Sequence, residues 1–286
     1  MKTERIVITG GGSGLGRALA LEYACAGWRV AVLDRDGASA ERVAGEVEEA
    51  GGKALAFACD VTDAAAVGDA SGAIRRSWRG LDVLVNNAGI AGSGTVVDTP
   101  DEDWRRIMEV NLFGVVSICR AFVPAMIRAG SGHVVNIASA AGFVSPPGVA
   151  AYNVSKAGVI SLSETLRVEL AQHDIRVSVV CPSFFKTNLL DDFTGSEESR
   201  QMAQRLMEKS SLNADDVARM IRRGVQKRDF MIVPHAEARG ILLLKRLAPD
   251  FFFAAVKKQA AGFLKAQGGR GKADGRGKGK RGSAGA

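Results

Sequence analysis

The chain of 286 residues is predicted to be an α/β protein with a doubly wound parallel sheet of about seven strands and a C-terminal helical extension. Three observations predict this. Short β-branched runs alternate with stretches of helical period over the first 190 residues. The runs are almost continuously apolar, as strands covered on both faces must be. A glycine-rich turn follows the first run and opens a helix, and ligands of such sheets bind at the carboxyl ends of the strands. A composition of 47% hydrophobic and 24% charged residues excludes a disordered chain.

The strand-like runs lie at 5–9, 28–33, 53–58, 81–85, 133–138 and 175–181, with a last short one, FMIV, at 230–233. Helical period fills 14–26, 38–50, 63–78, 101–129 and 153–172, and the crossovers they make should be right-handed. Between 190 and 215 the pattern weakens into a partly helical excursion over the active face. A helix over about 214–227 follows, with Asn213 or Asp215 as its candidate cap. Three units are expected: a catalytic domain over 1–235, an amphipathic helical extension over 236–267 interrupted at Pro249, and a disordered basic tail over 268–286.

Charge and cysteine usage narrow the class further. The net charge is +7, and the tail holds six basic residues against one acid, Asp274. Most of the basicity is therefore a property of the tail. It lacks interleaved aromatics, so no specific nucleic-acid partner is expected. No run of 18 apolar residues is present, so no membrane-spanning helix is expected. The N-terminus lacks a signal-peptide core, and a cytoplasmic protein is expected. Cys25, Cys59, Cys119 and Cys181 form no CxxC pair and read as buried free thiols. His133, His173 and His235 show no ligand spacing, so no metal site is expected.

The glycine-rich turn reads Thr9-Gly10-Gly11-Gly12-Ser13-Gly14-Leu15-Gly16. Gly10 permits a tight turn, Gly14 lets the backbone approach a pyrophosphate, and Gly16 lets the helix pack close to the sheet. The helix N-terminus offers N–H groups and a positive dipole end to the anion. The absence of GK[ST] excludes a P-loop nucleotidase. Asp34 ends the second strand, where a carboxylate can accept hydrogen bonds from adenosine ribose hydroxyls and repel a 2′-phosphate. NAD is therefore expected over NADP. Arg35 leaves NADP open, because a guanidinium there could hold that phosphate, and Ser13 adds no positive charge.

Tyr152 and Lys156 stand four apart and so share a helix face. A neighbouring ammonium is expected to lower the tyrosine pKa and make it an acid/base near neutrality. Ser139, at the end of the fifth strand, is placed to hold a substrate oxygen beside Tyr152. Asn86-Asn87-Ala88-Gly89 closes the fourth strand and Asp60-Val61 the third. Asn111 falls inside the long helix 101–129, against its propensity.

Together, TGGGSGLG at 9–16, Asp60-Val61, NNAG at 86–89, Asn111, Ser139 and YNVSK at 152–156 resemble the short-chain dehydrogenase/reductase family, in its form of about 250 residues. Order and spacing agree over roughly 3–235, and the fold implied is Rossmann-like. The resemblance implies that Gly10, Gly14, Leu15 and Gly16 cradle the pyrophosphate. It implies that Asp34 binds the adenosine ribose, that Asp60 and Val61 bind the adenine, and that Asn87, Ala88 and Gly89 line the cleft. Tyr152 would be the acid/base, with Ser139 polarising the substrate oxygen. Lys156 would bind the nicotinamide ribose, and Asn111 would hold a water relaying protons to Lys156. Beyond Pro182, Thr187 would bind the carboxamide and Phe185 would offer its backbone N–H. Ser183 departs from the family's glycine, which puts local backbone geometry in question. Homodimers or homotetramers through helices 101–129 and 153–172 are also implied.

Phe143, Phe184, Phe185, Phe193, Leu189, Leu190 and the methionines at 202, 207 and 220 suggest an apolar pocket for a lipophilic alcohol or ketone, or else ordinary core. The extension interleaves Leu242, Leu244, Phe251 and Phe252 with Lys245, Arg246 and Lys257. It would either pack on the domain or lie on a membrane surface through 236–286. A dinucleotide-sensing regulator of the same fold is the rival function, and the intact Ser139, Tyr152, Lys156 and Asn111 argue against it.

Overall fold

A computed structural model describes the backbone of residues 4–268 and the side chains up to residue 258. The expected tail, 268–286, lies outside the described residues except for Gly268, which ends the last helix. Seven parallel strands form one sheet in the order β3-β2-β1-β4-β5-β6-β7. They are β1 (Arg5–Thr9), β2 (Arg29–Asp34), β3 (Lys53–Ala58), β4 (Val83–Asn86), β5 (Gly132–Ile137), β6 (Ile175–Val180) and β7 (Met231–Ile232). All ladders are parallel. The order reverses beside β1, which opens a crevice between the ends of β1 and β4.

Alternate residues of each strand enter opposite helix layers, which is why the strands read as unbroken apolar runs. Ile6, Ile8, Val30, Val32, Val83 and Val85 join a core with α1 (Gly14–Ala24), α2 (Gly37–Glu49) and α9 (Ala214–Lys227). Val7, Leu33, Leu84 and Val134 join the other core with α3 (Ala64–Trp78), α5 (Gly114–Ala129) and α7 (Ala150–Glu169). Burying each such side chain stabilises by about 1.5–3 kcal/mol.

The helix expected over 101–129 is divided. α4 (Asp101–Met108) runs into a π turn (Glu109–Phe113), and α5 continues from it. The π turn holds the fully buried Asn111. Asp101–Ala129 is long enough to cross a membrane and contains an 18-residue stretch with a mean hydropathy of 1.8, contrary to the expectation from apolar runs alone. Here Val115, Ile118, Phe122 and Met126 lie in the core.

The rest follows the pattern with shifts at element ends. A short α6 (Ala141–Val144) follows β5. The excursion contains α8 (Glu197–Glu208), capped by Ser196. Asn213, and not Asp215, caps α9, in a reciprocal box with Asp216. The extension forms α10 (Ala236–Leu247) and α11 (Pro249–Gly268), split at Pro249 as expected. It packs on the domain through Ala238, 2% exposed, and Leu242. Lys245 Nζ also donates to the Phe143 carbonyl at 2.6 Å. Cys59, Cys119 and Cys181 are buried free thiols, whereas Cys25, just past α1, is exposed.

Candidate active site

The crevice is a cleft of about 460 Å³ along the carboxyl ends of the strands. Nearly every residue expected to bind cofactor or substrate lines it. Gly10, Ser13, Gly14, Leu15, Asp34, Arg35, Asp60 and Val61 line it, as do Asn87, Ala88, Gly89, Ser139, Tyr152, Lys156, Pro182, Phe185 and Thr187. Gly16 and Asn111 stand one layer behind. Ile90, Ser39, Arg42, Arg106, Asn188, Asp191 and Asp192 also line it. The sequence reading did not single these out, because helix faces and an aperiodic loop carry no local signal for a distant cleft.

The phosphate end is built by close backbone approach. A Cβ on Gly16 would stand 2.0 Å from the Gly10 carbonyl oxygen. Gly10 and Gly14 have φ of 60° and 50°, in the left-handed region that favours glycine. The Asn87 amide donates to the carbonyls of Thr9 and Gly10 at 3.0 and 2.9 Å. Thr9 Oγ1 in turn accepts from the N–H groups of Asn87 and Ala88. The end of β4 is thereby clipped to the glycine loop. The Ser13 side chain does not cap α1, so it leaves the first-turn N–H groups to an anion. This cradle, filled by no side chain, fits a dinucleotide pyrophosphate.

At the adenosine end, Asp34 accepts from the N–H groups of Gly12 and Asp36 at 2.9 and 3.1 Å. Its carboxylate is thus fixed beside the glycine loop. Asp60 accepts from the Thr62 N–H and hydroxyl. Both cations here are engaged. Arg42 donates to Glu46 and to the Gly12 carbonyl, at 2.6 and 2.7 Å. Arg35 pairs with Asp192.

Tyr152 lies in the first turn of α7, four residues before Lys156. Lys156 is buried, with 4% of its surface exposed. Its Nζ donates to the Ile137 carbonyl at 3.1 Å and stands 5.7 Å from the Tyr152 ring centre. Burial pushes the Tyr152 phenol up to about 12, against a smaller downward pull from the Ser139 hydroxyl. Burial also lowers the Lys156 ammonium to about 8. This corrects the expectation that the ammonium lowers the phenol. Burial disfavours the charged form of both groups. Ser139 Oγ accepts from Ala141 N–H at 3.1 Å and donates to the Pro182 carbonyl at 3.4 Å.

Asn111 is held by its neighbours on both sides. Its Oδ1 accepts from Ile90 N–H at 2.8 Å, and its Nδ2 donates to Ile90 O and Ser155 Oγ, both at 3.0 Å. A Cβ on Gly89 would fall 3.1 Å from Asn111 Oδ1 and 3.3 Å from Lys156 Nζ. Glycine therefore keeps open the space between the two. Ser183 causes no strain. Its N–H donates to His235 Nδ1 at 3.1 Å, and it is not among the residues with positive φ.

The expected apolar pocket is corrected in part. Of the expected set, Phe185 and Leu189 line the cleft, with Ile90 and Val110 as further apolar walls. Phe143, Phe184, Leu190, Phe193 and the methionines at 202, 207 and 220 do not line it. Phe143 joins the core on one face of the sheet instead.

A glycine cradle on a parallel sheet, a fixed acidic residue at its second strand and a Ser-Tyr-Lys cluster opposite define a nicotinamide-dependent oxidoreductase of the α/β class. A model of the short chain dehydrogenase family matches residues 4–198, and the chain belongs to that family. It is 35% identical over 264 residues to a Bos taurus "Dehydrogenase/reductase SDR family member 7B", covering 89% of this chain and 81% of the other. It is 36% identical over 210 residues to "2-(S)-hydroxypropyl-CoM dehydrogenase 3" of Xanthobacter autotrophicus, covering 73% of this chain and 82% of the other. A Burkholderia phymatum short chain dehydrogenase/reductase solved in complex with NAD superposes with a TM-score of 0.82. The two are 30% identical, with 86% of this chain and 93% of that one covered. The protein is an oxidoreductase that uses NAD or NADP.

Proposed function

We propose that the protein interconverts a secondary alcohol and a ketone with NAD as the preferred cofactor. The observation that carries the reading is the convergence of Ser139, Tyr152 and Lys156 in the cleft that Asp34 also lines. The relative named for a 2-hydroxypropyl substrate acts, by its name, on a secondary alcohol. The apolar walls Ile90, Val110 and Leu189 favour a lipophilic substrate. Arg106, which also lines the cleft, is engaged by Asp192.

The nicotinamide, when bound, gives or takes the hydride. The chain's own residues handle binding and protons. Gly10, Gly14 and Gly16, with Leu15, would cradle the pyrophosphate at the first turn of α1. Asp34 would bind the adenosine ribose, Asp60 and Val61 would bind the adenine, and Asn87, Ala88 and Gly89 line the cleft. Phe185 offers its backbone N–H and Thr187 its hydroxyl to the carboxamide. Ser139 holds the substrate oxygen. Tyr152 gives its proton to a carbonyl oxygen in reduction and takes one from a hydroxyl in oxidation. Lys156 would hold the nicotinamide ribose and return a proton to Tyr152, and would itself be resupplied through a water held by Asn111 in the space that Gly89 leaves open between Asn111 and Lys156.

Titration of nicotinamide fluorescence with NADH and NADPH tests the cofactor. NADH should bind more tightly, and Asp34→Ala should weaken NADH more than NADPH. Secondary alcohols of rising apolar size, supplied with the oxidised dinucleotide, should then yield NADH. Binding of a cofactor without turnover of any alcohol or ketone would turn the reading into a dinucleotide-sensing regulator. Activity confined to carboxylate-bearing alcohols would remove the lipophilic assignment.

The exposed Phe113, Val154 and Val168, 52%, 49% and 76% exposed on the π turn and α7, suit a homodimer through α5 and α7. A gel-filtration profile of a monomer at micromolar protein would end that assignment. On the extension, Leu243, Leu247, Phe251 and Phe253 stay exposed near Arg246, Lys257 and Lys258. That face suits contact with an anionic membrane surface. Leu247→Glu with Phe251→Glu should release the protein from sedimenting anionic vesicles, and equal sedimentation of both proteins would exclude the contact.

A further inference from the structure

The loop between β6 and α8 spans the cleft and is fastened at both ends. Ser183 N–H is held by His235. Thr194 exchanges backbone hydrogen bonds with Ala91 and Ser93, at 3.2 and 2.8 Å. Between these points Asp192 reaches the opposite walls. One carboxylate oxygen pairs with the Arg35 guanidinium, and the other accepts from Arg106 Nη2 at 3.4 Å. Arg35 comes from the end of β2, Arg106 from α4 and Asp192 from the loop, and all three line the cleft.

We propose that Asp192 determines cofactor specificity by holding Arg35 away from a 2′-phosphate. The inference rests on the dinucleotide reading above. Arg35 follows Asp34, so it is the cation nearest in sequence to the ribose position. A phosphate on that ribose would need a guanidinium, with its planar array of donors. Arg35 already sits in the field of three carboxylates, Asp192 first and then Asp34 and Asp60. Of the other cations lining the cleft here, Arg42 is engaged by Glu46 and the Gly12 carbonyl and Arg106 by Asp192 itself. A 2′-phosphate would therefore have to displace Asp192 and then remain near its charge. The unphosphorylated ribose makes no such demand and leaves the loop fastened. An arginine directly after the acidic residue is thus compatible with NAD selectivity.

The test is the affinity of NADH and NADPH for the full chain and its variants, read by nicotinamide fluorescence. Asp192→Asn should tighten NADPH by about fivefold, the scale of a half-exposed ion pair, while moving NADH by less than about twofold. Arg35→Ala in the natural background should change NADPH little, because the guanidinium is already withheld. Combined with Asp192→Asn it should abolish the gain. Unchanged NADPH affinity in Asp192→Asn would overturn the proposal, as would a gain that survives without Arg35. Equal weakening of both cofactors in Asp192→Asn would overturn it too, reducing Asp192 to a loop fastener. A large loss of NADPH binding in Arg35→Ala alone would show that Arg35 is already free, and needs no folded Asp192 variant. Failure of the natural protein to bind either cofactor would instead strike the dinucleotide reading itself.

Discussion

Tyr152→Phe lowers turnover by about a hundredfold or more, the scale of a positioned acid/base, and leaves NADH affinity within about twofold of the natural value. The substitution removes one oxygen and keeps the ring that lies 5.7 Å from Lys156 Nζ. The cleft wall is preserved and only the proton donor is lost. The pH profile separates this role from a structural one. With the phenol at about 12, its deprotonated fraction rises about tenfold per pH unit below that value. Alcohol oxidation needs that form, so it speeds up with pH. Ketone reduction needs the protonated phenol, which is abundant throughout. It slows only as Lys156, at about 8, loses the proton it would pass on. Tyr152→Phe should flatten the alkaline rise along with the rate. Residual activity above about a tenth of the natural enzyme, with the rise intact, would assign the proton to another group.

The sheet was readable because strands covered on both faces leave unbroken β-branched runs, such as RIVIT at 5–9. Boundaries were less so. β4 begins at Val83, two residues after the start of the expected run. Periodicity gives the face of a helix and not its hydrogen-bond ladder, so the π turn at Glu109–Phe113 stayed hidden. The buried, mid-helix Asn111 was the one local sign of it. The chemical residues were legible because each must stand at a strand end or one helical turn from its partner. Residues that act by closing distance were not. Arg35 and Asp192 lie 157 positions apart, and nothing in either local sequence announces the other. Aromatic residues misled for the converse reason. Nearness to Ser139 in sequence says nothing about which side of a strand end Phe143 faces.

Gly16→Ala carries the second large effect, and it should strike stability and cofactor binding together. The added Cβ would meet the Gly10 carbonyl oxygen at 2.0 Å and Asn87 Nδ2 at 2.8 Å. Neither can retreat cheaply. The Gly10 carbonyl and the Asn87 amide are bonded to each other, and Asn87 also holds Thr9. Relief therefore requires α1 to lift from the end of β1, which carries its first-turn N–H groups away from the pyrophosphate position. Overpacking of this kind costs about 1–3 kcal/mol, so Tm should fall by about 5 °C and NADH affinity by about tenfold or more. Gly14→Ala provides the contrast. Its Cβ would have 3.5 Å to Asn188 N and Thr187 Cβ, and the cost is the left-handed backbone at φ 50°, about 1–2 kcal/mol. That methyl would point toward the loop that covers the cleft, so binding should suffer without α1 moving. An unchanged Tm in Gly16→Ala would mean that the first turn of α1 yields without disturbing the sheet. The close approach of Gly10 and Gly16 would then serve the cofactor alone, and only the binding constant would register its loss.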